Sequence, residues 1–255
     1  MNKKTYYAAV SMLLWGLASA GAQTAQEIIE NADMIFTVNK QLYQKCSMTI
    51  TRGGKELPVQ IMESWYLKED GVSKSLTLFI KPMRVKGTAY LTIGDDLWVR
   101  FSSTGRIRKM SSSAKKNSAG GSDFSYSDMG EGNDGFAEKY RGALDGSEKI
   151  SGVQCYRIVL TPREKGDDVY EKAVAWISEN DFRYLKIDLY ENGAHIKTMS
   201  LSGYKPLKNI FYPYTVSMES LTRNSVSVIE TIEIEADSPK VESRFFSQSF
   251  MESLR

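Results

Sequence analysis

The stretch TAYLTIGDDLWVRF, residues 88–101, decides the fold, because apolar and polar side chains alternate on both sides of a turn. Leu97, Val99 and Phe101 fall on one side of such a segment, and Gly94-Asp95-Asp96 is typical of a tight turn. A period of two residues is the signature of a half-buried strand. The stretch therefore predicts an antiparallel hairpin.

The same alternation continues along most of the chain, in segments separated by Gly-, Asn- and Asp-rich turns. These segments are ELPVQIMESWYL (56–67), SLTLFI (75–80), VQCYRIVLT (153–161), EKAVAWIS (171–178), YLKIDLY (184–190), HIKTMSL (195–201), YTVSMES (214–220) and SVSVIETIEIE (225–235). They predict a mainly β protein, a meander of about ten strands, and argue against a parallel α/β sheet because helices do not alternate with strands. A sandwich, a closed barrel and one large sheet curled around something remain open.

The apolar sides of the predicted strands are candidates for a ligand-binding surface. If the alternation holds in every strand, the more apolar sides together form an inner face. Its residues are Leu57, Val59, Ile61, Trp65, Leu76, Leu78, Ile80, Leu97, Val99, Phe101, Tyr156 and Ile158. A packed core is the ordinary explanation for such a stripe. One helix is little material to cover so large a sheet, however, so either the sheet folds onto itself or an apolar hollow is left for a ligand.

Helix is predicted near the start of the chain, in TAQEIIENADMIFTV, residues 24–38. Thr24 followed by Glu27 is a capping-box pattern. The apolar face of the predicted helix is Ile28, Ala32, Ile35 and Phe36. This helix is expected to plug the concave side of the sheet.

The stretch 111–145 interrupts the alternation and is rich in Ser, Gly, Asp and Asn. We interpret it as a long excursion from the sheet with one short helix; excursions of this length are usually functional or mobile. Its centre, GGSDFSYSDM (120–129), has three readings: a metal loop, half of a carboxylate pair, or a folded turn. We favour the turn, with Asp123 and Asp128 bonding to nearby N–H groups and capping a short helix.

The sequence contains few residues suited to catalysis. His195 is the only histidine and follows an Asn-Gly turn, where it is expected to face solvent. The two cysteines, Cys46 and Cys155, fall on opposite strand faces, which argues against a disulfide. DMGEGND (128–134) lacks the spacing of a Ca²⁺ loop. We therefore predict no catalytic residues, no metal site and no cofactor.

Residues 1–22 have the features of a secretory signal peptide, with Lys3 and Lys4 before a short apolar run and cleavage expected near Ala20 or Ala22. Residues 23–255 are expected to form one domain, a monomer exported to the periplasm. Removing residues 1–22 leaves 31 basic and 31 acidic residues. This balance gives no argument for binding nucleic acid.

Charge is nevertheless unevenly distributed. Between Lys81 and Lys116 there are nine basic residues against two acids, Asp95 and Asp96. A solvated strand face is one reading; a docking surface for an acidic partner or for anionic lipid headgroups is the other. The candidate docking residues are Arg84, Lys86, Arg106, Arg108 and Lys109.

Residues 79–129 resemble the characteristic block of the outer membrane lipoprotein-sorting protein family, relatives of the lipoprotein carrier LolA. The shared features are Pro82 with Lys86-Gly87-Thr88-Ala89, Asp96-Leu97-Trp98, Gly105-Arg106-Ile107-Arg108-Lys109, and Gly121-Ser122-Asp123-Phe124-Ser125-Tyr126 before Asp128. CYRIVLTP (155–162), VAWIS (174–178) and FYP (211–213) follow in the order of that family. The likeness therefore spans the chain after residue 22.

The resemblance implies a half-open antiparallel β-barrel in which helices, including a short helical lid, cover an apolar cavity for acyl chains. It implies a non-enzymatic periplasmic carrier of lipids or lipidated proteins, with an inner-membrane exporter of the RND or ABC type and an outer-membrane acceptor as partners. The alternative is an accessory or sensor module that docks on an inner-membrane lipid exporter without carrying cargo.

Overall fold

A computed structural model of the protein describes residues 23–36, 40–130, 135–163 and 170–254. The predicted signal peptide, residues 1–22, lies outside the described residues. The helices are α1 (Ala25–Phe36), α2 (Ser112–Lys115), α3 (Tyr126–Gly130), α4 (Phe136–Lys139) and α5 (Gln248–Ser253), with a 3-10 turn at Ser243–Phe245. None of the helices in these ranges is long and apolar enough to cross a membrane.

The described strands join in one antiparallel sheet of fourteen strands. They are β1 (Gln41–Arg52), β2 (Lys55–Glu56), β3 (Gln60–Glu69), β4 (Val72–Lys81), β5 (Ala89–Ile93), β6 (Asp96–Arg100), β7 (Ile107–Lys109), β8 (Tyr140–Ile150), β9 (Val153–Pro162), β10 (Lys172–Ser178), β11 (Tyr184–Glu191), β12 (Ala194–Leu207), β13 (Ile210–Ser220) and β14 (Ser225–Ala236). The mainly β, antiparallel prediction is confirmed. The count of about ten was too low, because short strands such as β2 and β7 lack a full alternating run.

The sheet is not closed. Its strand order is β7-β6-β5-β4-β3-β1-β14-β13-β12-β11-β10-β9-β8, with β2 beside β1, so β7 and β8 are the two edges among the described strands. Because these edges are consecutive in the chain, the connection between them has to cross the whole sheet. This connection, residues 110–139, is called the crossing segment below.

The predicted excursion therefore exists, with two corrections. It ends at Lys139, because Tyr140–Ile150 is strand β8, and its described part carries the three short helices α2, α3 and α4 instead of one. Polar and Gly-rich composition concealed β8, most of whose residues are solvent-exposed as expected for an edge strand.

The N-terminal helix begins as its sequence predicts. The Thr24 hydroxyl accepts a hydrogen bond from the Glu27 N–H at 3.2 Å, and the Glu27 carboxylate accepts one from the Thr24 N–H at 2.8 Å. This is a complete capping box. Ile28, Ile29 and Ala32 are fully buried, so Ile29 joins the predicted apolar face.

The sheet has two apolar faces. We define the inner face as the one covered by α1 and the crossing segment; Met48, Met62, Phe79, Ile158 and Met218 are among its buried side chains. The outer face carries a second cluster on β3–β6, in which Leu76 and Leu91 are covered by Phe246 and Met251 near the end of the chain. A further outer cluster contains Cys155, Val174 and Trp176.

Candidate functional site

The site is the inner face of the open sheet together with the two elements that cover it. Ala119 and Phe124 of the crossing segment are buried in the main core. The Tyr126 ring packs edge-on against Tyr90 of β5, with 5.3 Å between ring centroids. The aromatic residues of the GGSDFSYSDM stretch thus hold the crossing segment against the sheet.

Asp123 fixes the crossing segment to the central strand β14. Its carboxylate is fully buried and accepts hydrogen bonds from the hydroxyls of Ser225 at 2.5 Å and Ser227 at 2.7 Å. The Arg223 guanidinium forms an ion pair with it at 2.7 Å. The expected turn-organising role of Asp123 was therefore wrong: its partners lie about a hundred residues away, which local sequence does not reveal.

Asp128 plays the predicted capping role. Its carboxylate accepts a hydrogen bond from the Ser125 N–H at 2.6 Å, and the Ser125 hydroxyl accepts one from the Asp128 N–H at 3.0 Å. These reciprocal bonds start helix α3. The same carboxylate accepts a bond from the Tyr170 hydroxyl at 3.0 Å, which ties the helix to residues beside β10.

Lys197 of β12 completes this polar contact. Its ammonium donates to the Tyr170 hydroxyl at 3.1 Å and lies 3.8 Å from the Asp128 carboxylate, with only 13% of its side chain exposed. Burial lowers the pKa of Lys197, and the Asp128 charge acts in the opposite direction. Asp123 and Asp128 therefore form two separate polar anchors between the crossing segment and the sheet.

Helix α1 is anchored by a third polar contact. The Asp33 carboxylate accepts hydrogen bonds from the Tyr184 hydroxyl at 2.8 Å and from the Ala137 N–H at 2.7 Å. It thereby joins α1, β11 and the start of α4. Burial raises the pKa of Asp33 above the ordinary value of 3.8, although these hydrogen bonds act to lower it.

The predicted apolar lining is divided between the two faces. Leu97, Val99 and Ile158 are buried in the inner core, and Leu57, Phe101 and Tyr156 pack against it. Trp65, Leu76 and Leu78 belong to the outer cluster, and Val59 is 48% exposed. Ile61 and Ile80 are half-buried; Ile61 shares the strand phase of Trp65, whereas Ile80 is the extra residue of a β-bulge opposite Ile61 and Met62.

The expectation of one shared face was therefore wrong for β3 and β4. On these strands Met62 and Phe79 point inwards, and the predicted residues Trp65, Leu76 and Leu78 take the outward phase. Both phases are apolar because Phe245, Phe246 and Met251 cover the outside. Alternation alone does not distinguish two covered faces.

The candidate docking residues lie around one end of the sheet. The β4–β5 turn, residues 82–88, and the β6–β7 turn, residues 101–106, are neighbours there, joined by a hydrogen bond of 3.0 Å between Thr88 and Ser102. Arg84, Lys86 and Arg106 are exposed on these turns. Arg108 and Lys109 are on β7, and Lys109 already pairs with Asp96 at 2.7 Å.

The two cysteines are free and buried. Cys46 lies in the inner core and Cys155 in an outer cluster, as strand phase predicted. His195 differs from expectation: its ring stacks on Tyr190, and its Nε2 lies 3.0 Å from the Thr198 hydroxyl and 3.3 Å from Asp188. The Tyr190 ring on the neighbouring strand β11 covers one side of His195, which is therefore half-buried.

No group of three or more His, Cys, Asp or Glu side chains within the described ranges is placed to hold a metal ion. The stretch DMGEGND, considered as a Ca²⁺ loop, falls partly on residues 131–134, which lie outside those ranges.

A family model whose description reads "-like: Uncharacterized protein" matches residues 71–253, more than half of the chain. The fold matches a domain from Vibrio parahaemolyticus described as an outer membrane lipoprotein-sorting protein, with a TM-score of 0.80 and 23% identity over 89% of this chain and 98% of that one. The chain belongs to the family that this model describes, and its fold is LolA-like. No curated protein matches the sequence.

Two further solved structures share the LolA-like fold. A DUF1329 family protein from Desulfovibrio piger is 25% identical, with a TM-score of 0.81 over 89% of this chain and 97% of that one. A LolA superfamily protein from Nitrosomonas europaea is 21% identical, with a TM-score of 0.75 over 90% and 100% of the two chains. In each case the match extends over nearly the whole of the relative.

Proposed function

We propose that the protein is a periplasmic carrier that shields acyl chains of lipids or lipidated proteins on their way to the outer membrane. The observation that carries this proposal is the open sheet, whose apolar inner face is covered by two separate elements, α1 and the crossing segment. The likeness to a lipoprotein-sorting domain and to a LolA superfamily protein supports it.

The proposed binding surface is the inner-face part of the predicted lining. It consists of Leu57, Leu97, Val99, Phe101, Tyr156 and Ile158. Each methylene moved from water onto such a surface gains about 0.8 kcal/mol, so an acyl chain is strongly driven there. Cargo enters when the crossing segment moves away from the sheet, and the segment acts as the lid.

The polar anchors suit a cover of this kind. Hydrogen bonds at Asp123 and Asp128 hold the crossing segment in one position, and their net contribution is modest because water replaces them when the segment lifts. Apolar packing of Phe124 and Tyr126 attaches the cover to the sheet, and the polar anchors direct it back to the same place after each opening.

The proposal includes the partners that family resemblance implies. Cargo is received from an inner-membrane exporter of the RND or ABC type and passed to an outer-membrane acceptor. Of the exposed cations, Arg106 and Arg108 are proposed to contact these partners during transfer, through charged surfaces that speed association more than they increase affinity.

Uptake of a fluorescent fatty acid tests the inner-face assignment. Phe101→Asp and Tyr156→Asp place a charge on the inner face, whereas Leu78→Asp places the same charge at a partly buried outer position. We expect both inner variants to lose uptake and the outer variant to keep it. Thermal melts establish that each variant is folded.

Equal uptake by all three folded variants would contradict the inner-face assignment. Failure of the unmodified protein to take up the probe, together with specific capture of an exporter, would favour the accessory-module alternative.

A further inference from the structure

The β4–β5 turn presents an apolar side chain among cations at one end of the sheet. Met83 is 82% exposed, the highest exposure of any large apolar residue described. Lys81, Arg84 and Lys86 surround it in sequence and are exposed. Within the described residues these three cations have no ion pair or side-chain hydrogen bond.

The turn is held rigidly. The N–H groups of Val85 and Lys86 both donate to the Pro82 carbonyl at 3.0 Å, and the Gly87 N–H donates to the Phe79 carbonyl at 2.9 Å. Val85 is 8% exposed and packs in the inner core. The core thus fixes the turn with Val85 pointing in and Met83 pointing out.

Gly87 and Arg100 add a second support. Gly87 has φ +82°, and a Cβ there would lie 3.2 Å from the Arg100 guanidinium, which donates to the Gly87 carbonyl at 2.6 Å. Only glycine adopts this positive φ without strain and also leaves room for the Arg100 guanidinium. Exposure of Met83 is therefore built into the turn and does not result from a loose loop.

An open hollow of about 310 Å³ lies beside the turn. It is lined by Met83, Arg84, Lys86, Ser102 and Ser103. Cationic and hydroxyl groups are the donors that bind phosphate oxygens. The hollow therefore offers two positive charges and two hydroxyls to a phosphate group, with an apolar side chain at its rim.

We propose that the β4–β5 turn docks the protein on a bilayer surface containing anionic phospholipids. Arg84 and Lys86, with Ser102 and Ser103, bind headgroup phosphates, and Met83 enters the boundary between headgroups and acyl chains. Charge complementarity and the exposed apolar tip favour this occupant over an acidic protein, because an interfacial site combines both features. The inference goes beyond the carrier proposal and does not depend on cargo.

Vesicle flotation tests this inference, with protein purified from the cells that naturally produce it. We compare vesicles of phosphatidylcholine alone with vesicles in which roughly a third of the lipid is phosphatidylglycerol. Binding is expected only to the anionic vesicles and is expected to weaken in about 0.5 M salt, where surface charges are screened.

Charge-reversal variants locate the contact. Arg84→Glu/Lys86→Glu is expected to weaken vesicle binding by on the order of twentyfold or more, since each basic residue near an anionic surface contributes about fivefold. Lys55→Glu/Lys149→Glu, the same charge change on exposed residues elsewhere, is the matched control and should bind nearly as the unmodified protein does.

The apolar tip has its own pair of variants. Met83→Ser is expected to weaken binding about threefold to tenfold, because a partly buried apolar side chain is lost. Leu144→Ser, at a residue 49% exposed on β8, is the control and should change nothing. All four variants change exposed side chains, and thermal melts verify that they are folded.

Three outcomes would overturn the inference: equal binding to neutral and anionic vesicles, undiminished binding by the β4–β5 turn variants, or no vesicle binding at all. If vesicles are not bound while an acidic protein partner is, through the same residues, the turn is a protein-docking site instead. Fatty-acid uptake by the same samples is scored separately, so loss of one activity is distinguishable from loss of the other.

Discussion

Asp123 and Ser227 are joined by two hydrogen bonds across 104 positions of the chain. The Ser227 hydroxyl donates to Asp123 Oδ2 at 2.7 Å, and Ser227 Oγ accepts a hydrogen bond from the Asp123 N–H at 2.8 Å. Both residues are fully buried. Through this contact the middle of the crossing segment is fixed to the middle of the sheet.

Replacing Asp123 with alanine is expected to lower the free energy of unfolding by about 3 kcal/mol, because buried hydroxyls and the Arg223 charge lose their acceptor. Urea denaturation measures the change. Asp96→Ala is the control: it removes a carboxylate that is 47% exposed and paired with Lys109, and should change stability by less than about 1 kcal/mol. Similar losses in both variants would contradict the anchoring role.

The reciprocal bonds between Ser125 and Asp128 predict energetic coupling. In a double-mutant cycle, Ser125→Ala and Asp128→Ala should couple by about 1 kcal/mol, since each bond supports the other at the start of α3. Ser111→Ala and Ser113→Ala, which remove an exposed hydroxyl–hydroxyl contact of 3.2 Å, provide the control cycle. Its coupling should be near zero; additive losses at Ser125 and Asp128 would refute the capping box.

Asp33 predicts a pH dependence of stability. Because burial raises its pKa in the folded state, folding favours the protonated carboxyl. The contribution of this group is fully present below pH 3.8, the ordinary aspartate value, and is lost as pH rises through the higher pKa of the folded state. Urea denaturation at a series of pH values measures the effect. As pH rises above 3.8, the free energy of unfolding of the unmodified protein should fall relative to that of Asp33→Asn.

Asp181 gives the opposite sign and serves as the comparison. Burial tends to raise its pKa, but hydrogen bonds from Arg183 and Ser178 outweigh this effect and lower it. Its contribution is present above pH 3.8 and is lost as pH falls through the lower pKa of the folded state. If the free energy of unfolding had the same slope against pH in Asp33→Asn and Asp181→Asn, neither carboxyl would control the pH dependence of stability.

Both cysteines are expected to be reduced and unreactive in the folded protein. Burial raises the pKa of Cys46 to about 12 and also raises that of Cys155, so neither thiol ionises near neutral pH. A thiol reagent should find two reactive groups in denaturant and almost none without it. Absence of thiols in denaturant would reveal a disulfide and contradict the positions of these residues on opposite faces.

Local signals predicted several features correctly. The Thr24–Glu27 capping box depends on residues three apart, and the two strand phases that separate Cys46 from Cys155 depend on alternation within one strand. Residues close together in the chain determine both features, so the local sequence is sufficient to predict them.

Features that depend on distant parts of the chain could not be predicted in the same way. The inward phase of Met62 and Phe79 is fixed by the covering of the outer face by Phe246 and Met251 near the end of the chain. The buried partners of Asp123 follow from the topology that places β14 beneath the crossing segment. Neither relationship leaves a periodic pattern.

Native mass spectrometry of protein purified from its own cells, followed by organic extraction, tests the carrier proposal most directly. We expect a bound lipid or acylated peptide in a ratio of one to each protein chain, released when the protein is unfolded. A protein that is free of lipid, and that stays free after exposure to a fluorescent fatty acid, would contradict the proposal that its inner face carries cargo.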